Sequence, residues 1–154
     1  MAFTAMIERA RLSDLIVTDY DPSTGYTHDD INVTPPAASA PVTLGTVVFR
    51  AKSIDPAAPY AVLSAGTDVV ATNEFAVVFG DHYAFNPIFV PKAIATGKFN
   101  AIAVRRGPSA LKEYHLKKIT QDVGGAALTD AQFASLKELL KLQGIVVLDT
   151  VEAV

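Results

Sequence analysis

Residues Ile7 to Ala40 and the remainder of the chain differ in kind, and that contrast limits what the sequence can build. The first stretch is rich in acids, prolines and small side chains. It offers too little apolar surface to offset the entropy of ordering it, so by itself it is expected to stay extended and to become ordered only against something else. From Pro41 onward the chain is patterned for strands, and it closes with a capped helix and the apolar run Gly144-Ile145-Val146-Val147-Leu148. The expected organisation is an extended N-terminal arm and linker, residues 1–40, ahead of a β-rich core, residues 41–154. On this reading, removing the arm leaves a folded domain.

With 154 residues, 50% of them hydrophobic, the chain can bury roughly two thirds of the surface its unfolded form exposes, enough for one domain. The absence of cysteine rules out disulfides and thiolate metal sites, so packing or oligomerisation must supply the stability. The opening Met1-Ala2-Phe3-Thr4-Ala5-Met6-Ile7-Glu8 has no basic stretch leading into a long apolar one, and no apolar run approaches the roughly twenty residues of a membrane span. A soluble protein made in a cytoplasm is expected, with no membrane partner. A net charge of −3 argues against a nucleic-acid partner, because such affinity comes from cations that displace counterions along phosphates.

The distribution of charge says more than its total. Residues 1–40 hold two bases against six acids, a balance of −4, whereas residues 92–118 hold seven bases against one acid, a balance of +6. One reading is a solvated surface on which these cations spread over several strand faces. The other is complementarity between subunits or towards an acidic partner, with Arg105, Arg106, Lys112 and Lys117 as the contacts.

Along the chain, Ile7 to Val17 suits either a helical turn or an extended docking strand. Asp19-Tyr20-Asp21-Pro22-Ser23-Thr24-Gly25-Tyr26 has the chemistry of a turn, and Pro35-Pro36 forces extended backbone. Strands are expected at Leu44 to Lys52, at Tyr60 to Leu63, at Glu74 to Gly80 with Phe75, Val77 and Phe79 on one face, and at Phe99 to Arg105. Lys112 to Lys118 also alternates with period two, which would point Tyr114 and Leu116 inward. Thr129-Asp130-Ala131-Gln132 has capping-box spacing, and Phe133, Leu136, Leu139 and Leu140 then form one stripe, with Gly144 placed to end the helix. The fold class that results is mainly β with one C-terminal helix (α+β): a small β-sandwich or barrel-like domain with an extended N-terminal arm.

Little in the sequence points to chemistry, and no enzymatic role, catalytic residue, metal ligand or cofactor is expected. His28-Asp29-Asp30 has carboxylates, but adjacent residues on an extended chain point in alternate directions and a Ca²⁺ loop needs more oxygens at regular spacing. Asp81-His82 could orient a base, yet no serine in an elbow motif accompanies it. Gly124-Gly125 lacks the Lys-Ser or Lys-Thr of a phosphate loop.

Three segments carry a likeness. Ala10-Arg11-Leu12-Ser13-Asp14-Leu15-Ile16, followed by the Asp-Tyr-Asp-Pro turn and Val42-Thr43-Leu44-Gly45-Thr46-Val47-Val48, resembles the opening of the head decoration proteins of tailed bacteriophages, the lambda-like capsid-stabilising family. Ile102-Ala103-Val104-Arg105-Arg106-Gly107 is similar to that family's strand ending in Arg-Gly, and Leu136 to Val147 resembles its closing helix and strand. The resemblance implies a virion structural protein, commonly a homotrimer, on the outer surface of the capsid, where its arm contacts the major capsid protein and clamps neighbouring capsomers. The arm contacts would then be Arg9, Arg11, Leu12, Leu15, Ile16, Val17 and Tyr20. A dimer, another phage head or tail component, and a small ligand-binding or hydrolytic β-domain using Asp81 and His82 are the other readings.

Overall fold

The computed structural model describes residues 15–19, 27–34, 42, 44–81, 99–121 and 126–150. Among these residues, eight strands fall into two sheets. β2 (His28–Thr34), β3 (Val47–Ala51), β4 (Tyr60–Val62), β5 (Asn73–Asp81) and β6 (Phe99–Val104) close into a barrel in the order β2-β4-β3-β5-β6. β1 (Ile16–Asp19), β7 (Ser109–Lys112) and β8 (Ile145–Leu148) form a three-stranded sheet with β7 at its centre, antiparallel to β1 and parallel to β8. The fold is the mainly-β, barrel-like α+β class expected from the sequence.

Period-two alternation along the barrel strands separates two cores. Ile31 and Val33 of β2, Val48 of β3, Tyr60 of β4, Ala76 and Val78 of β5, and Ala101 and Ala103 of β6 pack together inside the barrel. The many small residues suit a barrel of only five strands, whose interior is narrow. The intervening residues Val47, Phe75, Val77, Phe79 and Val104 face outward into a second core, which they share with Leu111, Ile145 and Val147 of the three-stranded sheet and with both helices. The face predicted for Phe75, Val77 and Phe79 is therefore real, and it is the outside of a barrel.

Those helices are α1 (Glu113–Gln121) and α2 (Asp130–Leu142). In α2 the capping box forms as its spacing predicts: Thr129 Oγ1 accepts from the Gln132 amide at 3.3 Å, while Gln132 Oε1 accepts from the Thr129 amide at 2.9 Å. Phe133, Leu136 and Leu140 are buried, and Gly144 takes a φ of +83° after the last turn. Its backbone also crosses close to Gly107, where a Cβ would collide with the Gly144 carbonyl oxygen.

Two expectations are corrected. Residues 113–118 are not an extension of a strand: β7 ends at Lys112 and α1 begins at Glu113, so a helix stands there ahead of the C-terminal one. Leu116 and Thr120 are buried four residues apart, which is helical spacing, while Tyr114 is 38% exposed and does not point inward. The second correction concerns the arm. Leu15 is fully buried in the core between barrel and sheet, β1 pairs with β7, and β2 pairs with β6 along six consecutive residues. A boundary at residue 41 therefore cuts through the folded domain. The polarity of β2 misleads because only Ile31 and Val33 of its outer half turn inward, while Asp30, Asn32 and Thr34 face solvent.

Where β6 turns away from β5, the side chain of Gln143 takes over its hydrogen bonding. Gln143 Oε1 accepts from the Phe75 amide at 2.9 Å, and Nε2 donates to the carbonyls of Phe75 at 2.8 Å and Arg105 at 2.9 Å. This amide joins the end of α2 to the barrel. Gln143→Ala leaves three part-buried backbone groups without those partners and should cost about 2 kcal/mol. In urea unfolding the midpoint should fall with the slope unchanged; an unchanged midpoint would mean the clip contributes nothing.

Candidate functional site

Among the described residues, the outer face of the β1-β7-β8 sheet carries a row of half-exposed aliphatic side chains. β8 alternates strictly, with Ile145 and Val147 turned into the core and Val146 (41% exposed) and Leu148 (39% exposed) turned out. Parallel pairing sets Ala110 beside Val146 and Lys112 beside Leu148. Across β7, a bulge between Ile16 and Thr18 interrupts the ladder, and Val17 within it is 44% exposed. The result is an aliphatic row, Val17, Ala110, Val146 and Leu148, with one cation, Lys112, in it.

The expected docking residues divide on this structure. Leu15 belongs to the domain's own core and Ile16 packs against it, so neither offers a surface to a partner, whereas Val17 does. Arg9, Arg11, Leu12 and Tyr20 lie outside the described residues, as does His82, while Asp81 ends β5. Val146 and Leu148 were missed because Ile-Val-Val-Leu is apolar throughout and contains no period that distinguishes an inner from an outer face.

Three cations of the basic segment meet counter-charges within the chain. Arg105 NH1 lies 3.1 Å from Asp29 Oδ2 and its NH2 3.6 Å from Glu74 Oε1; Arg106 NH2 lies 3.5 Å from Asp29, and Lys117 Nζ lies 2.9 Å from Asp130. Asp29 belongs to the acidic first forty residues, so part of the complementarity read from the sequence is intramolecular. Lys112 is the member of the set that sits on the aliphatic face.

Around Glu74 this pairing becomes a ring. Glu74 Oε1 accepts from Arg50 Nε at 2.6 Å and from the Tyr60 hydroxyl at 2.8 Å, and the Arg50 guanidinium lies over the Tyr60 ring at 4.5 Å. Arg50 NH1 also donates to the carbonyls of Pro56 and Ala58. Burial by itself raises the pKa of Glu74, but the hydrogen bonds from Tyr60 and Arg50 and the charges of Arg105 and Arg50 outweigh it and hold the carboxyl below its ordinary value. Burial, then the hydrogen bond to Glu74 and its negative charge, push the Tyr60 hydroxyl well above its usual range. Both directions favour the arrangement observed, a carboxylate accepting from a neutral phenol.

Among the described residues no group of three or more His, Cys, Asp or Glu is arranged to hold a metal ion, and no helix is long and apolar enough to cross a membrane. Comparisons with protein-family models, with curated proteins and with solved structures gave no match.

Proposed function

We propose that this chain is a virion structural protein that decorates the outer surface of a phage capsid and stabilises it by bridging major capsid protein subunits, with copies of itself as further partners in a trimer. The observation that carries the reading is the aliphatic row Val17, Val146 and Leu148 on a sheet face turned away from the domain's own core. Val17 follows directly in sequence on Ala10 to Ile16, the run that resembles the opening of the lambda-like decoration proteins. A row this small falls short of the roughly 800 Å² per partner of a standard stable interface. It suits a protein held on a lattice, where many weak contacts act together.

The test adds purified protein to undecorated heads of the virus that carries it and measures co-sedimentation and the temperature at which the heads rupture. Val146→Asp and Leu148→Asp place charges on a half-exposed face, so they should leave thermal unfolding of the free protein nearly unchanged and weaken head binding roughly tenfold or more. Deleting residues 1–14 removes Arg9, Arg11 and Leu12 but spares every described strand, and should likewise abolish decoration without unfolding the domain. Full occupancy by these variants, or recovery of the protein on purified tails instead of heads, would overturn the proposal.

A further inference from the structure

Four barrel strands contribute one residue each, and the residue directly after the fifth strand adds another, to a single polar layer at one end of the barrel: Asp29 from β2, Arg50 from β3, Tyr60 from β4, Glu74 from β5, and Arg105 directly after β6. All five stand at positions whose alternation points into the barrel, one step beyond the apolar layers of Ile31, Val48, Ala76 and Ala103. One oxygen, Glu74 Oε1, takes contacts from three neighbours, and Arg105 passes the connection on to Asp29. With Arg106 also on Asp29, three guanidinium groups share two carboxylates.

We propose that this ring is an acid-sensitive latch that holds the end of the barrel shut while Glu74 is ionised and releases it when Glu74 takes up a proton. A protonated Glu74 neutralises neither Arg50 nor Arg105. The Arg50 side chain is only 7% exposed, so water cannot replace the lost counter-charge, and the carbonyls of Pro56 and Ala58 accept its hydrogen bonds but carry no charge. The groups facing Glu74 are Arg50, Tyr60 and Arg105. With Asp29 paired to Arg105 and Arg106, the protonated layer carries an excess of positive charge and its strand ends repel. The sign follows from the lowered pKa: Glu74 contributes stability above its ordinary value of 4.5 and loses it as the pH falls through its lower folded value. The second core, built on Leu136, Leu140 and Ile145, shares none of these groups. Release is therefore local to the barrel end.

Amide hydrogen exchange, expressed as protection factors so that the intrinsic pH dependence cancels, reads this directly. As the pH falls from neutral through the lowered folded value of Glu74, amides at the latched ends of β2, β3, β5 and β6 should lose protection roughly tenfold or more while Leu136 and Leu140 of α2 keep theirs. Glu74→Gln should show the same local loss at neutral pH. Tyr60→Phe removes a hydrogen bond that favours the ionised carboxylate and should move the transition to higher pH; it carries the test should Glu74→Gln fail to fold. The proposal is overturned by protection that persists at the barrel end in acid, by loss that strikes α2 at the same pH, or by a transition that Tyr60→Phe leaves in place. None of these outcomes depends on what the protein decorates.

Discussion

Deletion of residues 1–40 should abolish the fold. The cut removes Leu15, Ile31 and Val33, three fully or nearly fully buried aliphatic side chains, worth roughly 1.5–3 kcal/mol each. It also removes β2, which closes the barrel between β4 and β6, and β1, which pairs with β7. Loss of β2 opens two edges and exposes Ala101, Ala103 and Tyr60 to water. A domain of this size is ordinarily stable by only about 5–15 kcal/mol, so the combined loss takes most or all of it. The truncated chain should show no cooperative thermal transition by circular dichroism, whereas a chain beginning at Leu15 should keep one. A sharp transition in the shorter chain would show that residues 41–154 close a barrel without β2.

Why the first forty residues misled is visible in β2 itself. His28-Asp29-Asp30-Ile31-Asn32-Val33-Thr34 reads as polar and acidic, and two inward aliphatics are too few to announce a strand. It becomes one because β6 offers a matching edge and because Asp29 finds Arg105 76 residues away. No local pattern encodes that pairing. The same holds for the latch, whose five members scatter from Asp29 to Arg105 and meet only once the barrel closes. Segments that carry their own signals were legible: the capping box at Thr129, the stripe Phe133, Leu136 and Leu140, the turn-ending Gly144, and the alternation of β5 all stand where the sequence puts them. Glu113 to Lys118 was ambiguous on physical grounds. Its apolar residues at 114 and 116 fit period two, and only Thr120, a polar residue buried with its hydroxyl donating to the Leu116 carbonyl, completes the helical face. On the candidate docking face, Val17 lay within the segment singled out from the sequence, while Val146 and Leu148 needed the register of β8 on β7 to be distinguished from core.

The junction between the two cores yields the other large effect. Phe75 is fully buried on the outer face of β5, in the core that the barrel shares with α2 and the three-stranded sheet. Its neighbours cannot easily move in to fill a space. β5 is held on one side by β3, with Phe49 opposite Phe75, and on the other by the Gln143 amide clasping the Phe75 backbone at 2.9 and 2.8 Å. α2 is fixed at both ends, by its capping box and by the crossing of Gly144 with Gly107. A cavity between two such rigid layers stays open, which places Phe75→Ala towards the upper part of the range for buried aromatics, about 3–5 kcal/mol. Phe49→Ala, at a partly exposed position on the rim of the same core, should cost distinctly less. Chemical denaturation of the two variants decides the point. Equal losses, or a Phe75→Ala loss near 1 kcal/mol, would mean that the layers slide together to close the cavity, and that the clasp of Gln143 on β5 does not hold the strand in place.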